Sequence, residues 1–265
     1  MHGSIPTGYM YVIIKGCLNF ARHMDNKIKK LLFKQLLKVF LLLFTSTLYA
    51  QRYNFQHYDL TNGLSQSQVM AVCQDKEKQI WLSNFGGINC FDGKKFNSYS
   101  LEDGLPSNSN FAITRDNNGN IWLGGSKGLT AFTSKGIINY KFKDKVNTRS
   151  IMQVLCDKNG VIWALVLNSK LYKLVNNQLI AQQIVSKDDM ITSIALDKNG
   201  DMHAAIYKSG IYGLDKTGWK LNVNIKQHYI KKFLFSDQSS GTINFISEQG
   251  LFQCNANYLK KITLP

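Results

Sequence analysis

Asp116-Asn-Asn-Gly119-Asn-Ile-Trp122-Leu-Gly-Gly125-Ser-Lys-Gly128-Leu129 decides the fold, because the chain repeats it. Aspartates stand at Asp75, Asp116, Asp157, Asp197 and Asp237, with spacings of 41, 41, 40 and 40 residues. Six positions after the first three come Trp81, Trp122 and Trp163. A glycine follows three residues after the aspartate at Gly119, Gly160 and Gly200. A small or polar residue and an aliphatic then recur at Gly87-Ile88, Gly128-Leu129, Lys170-Leu171, Gly210-Ile211 and Gly250-Leu251. A fixed period of this length is the signature of a repeat architecture. Residues explained by repetition are structural first, so function is sought among those that break the pattern.

Within one repeat the apolar residues alternate in short runs. Ser67–Cys73, Gln79–Ser83, Ile88–Phe91 and Lys95–Tyr99 read as four strands. Gly and Asp punctuate them, and Asp92-Gly93 supplies the positive φ that a tight hairpin needs. Helical pairs of similar period would need longer runs with a 3.6-residue pattern. The expected fold is therefore all-β: a β-propeller of four-stranded blades, about five of them present. The units are expected near 60–100, 101–142, 143–180, 181–222 and 223–265. The first strands, with Val72, Ile113, Val154, Ile194 and Leu234, are expected to line the axis. The tryptophans read as packing between blades, since a large ring buries about 150–250 Å². The Asp-x-x-Gly turns read as side chains that bond backbone N–H groups. As calcium loops they lack the alternating oxygen ligands and the acidic closer.

The first 50 residues differ. Lys27, Lys29, Lys30, Lys34 and Lys38 precede the apolar run Val39–Ala50. That order is the outline of a secretory signal peptide starting at Met24 and cleaved near Ala50, with residues 1–23 an over-extended start. The run is too short for the ~20 residues of a spanning helix, so no stable membrane anchor is expected. Residues 1–50 thus form an extension plus leader, and 51–265 the repeats. Just after the leader, Phe55-Gln-His-Tyr58-Asp-Leu60-Thr-Asn-Gly63-Leu64 matches Phe96–Leu105 at an offset of 41. Residues 53–59 then read as the fourth strand of a blade whose first three strands are not upstream. With five blades complete without it, the expected object is an incomplete ring of a larger propeller, a fragment with more blades to follow.

Lys and Arg number 32 against 17 Asp and Glu, giving +15. Beyond residue 50 there remain 25 basic and 16 acidic residues, a net +9 spread over several blades. A nucleic-acid binder would focus that charge in a stripe with aromatic residues interleaved, so no nucleic-acid partner is expected. An acidic glycan suits such a field. Cys73, Cys90, Cys156 and Cys254 lie in separate predicted strands without CxxC spacing and read as free thiols. No metal-ligand pair and no cofactor motif is found, so metal and cofactor are both expected to be none. Gly124-Gly-Ser126-Lys-Gly128 spells a nucleophile elbow, but that device needs a helix after it and a strand follows here. No catalytic residue is assigned.

The repeats resemble those of the two-component regulator propeller family. Gly63-Leu-Ser-Gln-Ser-Gln-Val69 and Gly104-Leu-Pro-Ser-Asn-Ser-Asn110 open units one and two as that family's repeats open, and Asp116–Leu129 matches its centre. The match is strongest in units one and two. It departs at His203, which stands where Trp is expected, and in unit five around Ile243 and Asn244. The resemblance implies an exported, periplasmic sensor region of a hybrid two-component system that responds to glycans. Its partners would be an oligosaccharide and a kinase, the kinase and further blades being encoded separately or lost by truncation. Two alternatives stand beside it: a propeller lyase-like enzyme and a non-catalytic interaction scaffold. The loops expected on one face are Ser65-Gln66, Asn84-Phe85, Asn108, Ser126-Lys127, Asn168-Ser169, Tyr207-Lys208 and Glu248. From these the candidate ligand-binding residues are Gln66, Asn84, Asn108, Lys127, Asn168, Tyr207 and Lys208, since polar, amide-rich loops favour recognition over acid–base chemistry.

Overall fold

The computed structural model describes residues 25–46, 55–143, 150–167, 170–186, 188–197, 199–225, 229–234, 242–254 and 258–263. Two compact units divide at Met1–His57 and Tyr58–Pro265. In the first, Asn26–Ser46 forms helix α1. No helix among the described residues is long and apolar enough to cross a membrane. Met24, Ala50 and Tyr53 lie outside the described residues. The expected strand at 53–59 is not formed in its described part, since residues 55–59 carry none.

Among its described residues the second unit has twenty strands in five antiparallel sets of four. Blade one is β1 (Val69–Gln74), β2 (Ile80–Asn84), β3 (Gly87–Phe91) and β4 (Phe96–Tyr99). Blade two is β5 (Asn110–Arg115), β6 (Ile121–Gly125), β7 (Gly128–Thr133) and β8 (Gly136–Phe142). Blade three is β9 (Ile151–Cys156), β10 (Ile162–Val166), β11 (Lys170–Val175) and β12 (Gln178–Gln182), which runs past the boundary expected at 180. Blade four is β13 (Ile191–Leu196), β14 (Met202–Ile206), β15 (Gly210–Asp215) and β16 (Gly218–Asn224). Blade five is β17 (Ile230–Leu234), β18 (Ile243–Ser247), β19 (Gly250–Cys254) and β20 (Leu259–Ile262). First strands lie side by side in the order β1, β5, β9, β13, β17, while β17 and β1 are not apposed in this way. The described blades form an arc of a β-propeller. Val72 on β1 is 58% exposed, whereas Val154 and Ile194 at the same register are buried.

One departure joins two blades. The outer strands β8 and β12 pair in parallel through Gln178 with Lys141 and Leu179 with Phe142, making one eight-stranded sheet. Strand β8 is seven residues long against four in β4, and its extra length reaches the neighbouring edge.

Asp and Trp act together in each of the first three blades. Trp81 Nε1 donates to Asp75 Oδ2 at 2.8 Å, Trp122 to Asp116 at 2.9 Å and Trp163 to Asp157 at 2.9 Å. The other carboxylate oxygen accepts backbone N–H groups of the turn, from Asn118 and Asn120 for Asp116 and from Asn159 and Val161 for Asp157. One side chain thus closes the turn and satisfies the indole donor, so the ring can be buried without an orphaned polar atom. Burial alone would push the Asp116 carboxyl up, but the hydrogen bonds from Trp122, Asn120 and the turn backbone outweigh it and hold it below its ordinary value. Asp237 lies outside the described residues.

The cores lie between blades. Trp122 packs with Ile151, Val154 and Ile162 of blade three, and Trp163 with Ile191, Ile194 and Met202 of blade four. Ile113, Val154 and Ile194 therefore fill inter-blade seams, whereas Val72 stays exposed. In blade five the register shifts by one residue: Phe233, opposite Phe245, takes the place expected for Leu234, as Ile194 lies opposite Ala204. Cys73, Cys90, Cys156 and Cys254 are free, and burial pushes the Cys90 and Cys254 thiols up to about 11.

Candidate functional site

The β2–β3 type turns and the segments leading into the first strands share one end of the blades. Registration puts Phe85, Ser126, Leu167, Tyr207 and Glu248 at the same place, one residue past each second strand. This position is occupied by a different residue in every blade. Phe85 is 38% exposed, Leu167 57% and Tyr207 38%, so the face has apolar and aromatic character. Phe85 meets Phe111 edge-on at 5.8 Å, and Tyr207 meets Tyr229 edge-on at 5.3 Å. Lys208 Nζ lies 5.2 Å from the Tyr207 ring centroid, a cation–π contact. Lys208 also holds φ at 55°, a left-handed conformation uncommon outside glycine.

The expected site residues divide sharply. Asn84 is fully buried. Its Oδ1 accepts from Ser65 Oγ at 3.1 Å and Gly86 N at 2.8 Å, and its Nδ2 donates to Asn89 Oδ1 at 2.7 Å. These bonds commit Asn84 to clamping the loop. Asn108 is half-buried, and its Oδ1 accepts from Leu101 N at 2.9 Å. Gln66 is half-buried and its Oε1 accepts from Gln68 N at 3.2 Å. Lys127, Tyr207 and Lys208 are exposed and remain the presented members of the set. Asn168 lies outside the described residues. Phe111, Leu167 and Tyr229 were not singled out by sequence reading. The signal for Leu167 was available: it shares the Phe85 and Tyr207 register and breaks the repeat there.

Ser126 sits in the turn from β6 to β7, strand to strand, with its Oγ 2.7 Å from Ser107 Oγ. Among the described residues no group of three or more His, Cys, Asp or Glu could hold a metal ion.

The loops of this face vary from blade to blade on a common four-stranded scaffold. Residues 104–127 match the two component regulator propeller family, and the other blades keep the same register. Residues 104–127 carry that family's repeat. No curated protein matches it in sequence. Among solved structures it is similar to the extracellular domain of a hybrid two component system of B. thetaiotaomicron, at TM-score 0.61 and 21% identity, covering 76% of this chain and 29% of that one. A B. thetaiotaomicron domain described as part of a one component system gives 0.60 and 16%, covering 80% and 31%. The chain thus spans about three tenths of the length of these domains. Catalytically inactive virginiamycin B lyase of Staphylococcus aureus, solved with quinupristin, gives 0.62 and 14%, covering 80% and 74%. At these identities the likeness is one of fold, and fold does not carry chemistry.

Proposed function

We propose that the repeats form the extracytoplasmic ligand-sensing part of a two-component signalling receptor, recognising an oligosaccharide on the loop face without altering it. The observation that carries this reading is the single register holding Phe85, Leu167 and Tyr207, exposed and different in each blade, flanked by Lys127 and Lys208. Exposed rings offer stacking surfaces to sugar faces, and lysines offer donors to hydroxyl or acidic groups. Among the described residues, that register contributes one carboxylate, Glu248. This composition suits recognition better than general acid–base chemistry. Signal output would fall to a kinase, on the same or another polypeptide.

Binding of the purified protein to an oligosaccharide array, followed by mass spectrometry of the retained sugar, tests the reading. The sugar should be recovered intact, and Tyr207→Ala should weaken its binding about tenfold, since aromatic anchors dominate such contacts. Recovery of a cleaved or unsaturated product would favour a lyase-like activity instead. Export is checked separately. The mature N-terminus from the native host should read Gln51 or a residue within a few positions of it, and an intact chain in the cytosol would refute a cleaved leader.

A further inference from the structure

The first strand of every blade carries one residue too many. In β1, β5, β9, β13 and β17 the pairing to the second strand slips at the second residue, so Met70, Phe111, Met152, Thr192 and Lys231 have no partner opposite. The slip falls against the last two residues of each second strand, which places every bulge at the loop end, beside the register of Phe85, Leu167 and Tyr207. A bulge re-aims its extra side chain out of the strand's alternation. In blade three, Ile151 and Val154 on either side stay buried in the seam with Trp122, while Met152 is 37% exposed. Met70 in blade one is exposed to the same extent.

Methionine is concentrated at this end. Of the seven methionines, four lie beyond residue 50. Met202 is in the core, but Met70, Met152 and Met190 are exposed. Met190 belongs to the loop end as well, since its carbonyl accepts from Tyr207 N at 2.9 Å. Leu167 adds an exposed aliphatic between them. Thioether and leucine side chains have no flat face to stack on a sugar ring. They adapt instead to apolar substituents, and a thioether sulfur is attracted to an aromatic ring.

The charge beside this apolar arc has one sign. Lys127, Lys208 and Lys231 are exposed at the loop end, and no carboxylate among the described residues pairs with them. At the Asp-turn end the lysines are paired: Lys158 with Asp201 at 2.6 Å and Lys220 with Asp215 at 2.8 Å. The apolar members come from blades one to four, and two of the three lysines from blades four and five. A ligand that satisfies both has an apolar group and an anionic group on one small frame.

We infer that the loop end recognises an acidic sugar carrying an aryl substituent, the aryl group lying on Met70, Met152 and Leu167 and the carboxylate meeting Lys208 and Lys231. Burial of the ring against the methionines supplies apolar contact that a bare sugar lacks, and the lysines supply the complementary charge. This specificity presupposes the loop-face reading and adds to it the class of sugar.

The test is calorimetric titration of the full chain with phenyl β-D-glucuronide, against methyl β-D-glucuronide and phenyl β-D-glucoside. The phenyl glucuronide should bind about tenfold tighter than either, because each comparator lacks one of the two contacts. Met152→Gln keeps the side chain's length, and it should erase the phenyl advantage while leaving methyl glucuronide binding unchanged. Lys208→Gln should erase the advantage over the glucoside. Ile138→Gln, at an equally exposed residue on the outer strand β8, should alter neither. Equal affinity for the phenyl and methyl glucuronides, a phenyl advantage untouched by Met152→Gln, or one lost equally in Ile138→Gln would overturn the inference. If an array oligosaccharide binds while the phenyl group adds nothing, the inference falls and the loop-face reading stands. A phenyl advantage lost in Met152→Gln, with no array oligosaccharide retained, would uphold the inference and overturn the oligosaccharide reading.

Discussion

Trp163→Ala is expected to destabilise the protein by about 3–5 kcal/mol, the range for removing a large aromatic from a core. The residue is 2% exposed and packs in the seam between blades three and four with Ile191, Ile194 and Met202. Its ring meets Trp219 of blade four edge-on at 6.0 Å. Truncation leaves a cavity in a sheet-on-sheet contact that two rigid blades cannot collapse to fill. It also strips Asp157 Oδ2 of its 2.9 Å donor while the carboxylate stays buried. Both losses push the same way. Trp81→Ala should cost less, because Trp81 is only half-buried. Denaturant unfolding of both variants is the check. A loss below about 1 kcal/mol for Trp163→Ala would contradict the packing role.

Gly87→Ala is the second large effect. Gly87 opens β3 at φ +124°, and an added Cβ would lie 2.1 Å from the Tyr99 carbonyl oxygen. That oxygen belongs to the backbone of β4, whose Tyr99 pairs with Ile88. Relief therefore requires moving a strand, not a side chain. Gly93, in the exposed β3–β4 hairpin, also has positive φ at +94° but would meet nothing within 4 Å. The pair of alanine variants separates conformational strain from steric overlap. Gly93→Ala should cost about 1 kcal/mol, the strain of a left-handed alanine. Gly87→Ala should cost about 3 kcal/mol or more, adding overpacking to strain. Equal costs in calorimetry would mean that the β3–β4 contact is looser than the structure shows.

Much of this molecule is written in its period. The aspartate spacing located every described β-turn of its kind, and the tryptophan register placed the inter-blade seams. The link between the two was not legible, because a hydrogen bond across six residues depends on how a turn folds back over a strand. Asn84 shows a related limit. An amide in a loop reads as a presented ligand contact, yet Ser65 and Asn89 draw it inward, and only their three-dimensional proximity says so. Leu234 was misplaced by one residue because blade five departs from the even spacing and Phe233 moves into register. His203 was visible as a break in the pattern. Its surroundings were not, since Gly213 and Asn222 reach it from other strands.

Recognition at the loop face is the property on which the proposed function turns. The most direct measurement is a ¹H–¹⁵N correlation titration of the protein with an oligosaccharide retained on the array. Shifts are expected at Phe85, Lys127, Leu167, Tyr207 and Lys208, with the Asp-turn end near Asp116 and Asp157 unmoved. Shifts confined to the Asp-turn end, or saturable binding that leaves the loop register unmoved, would contradict it.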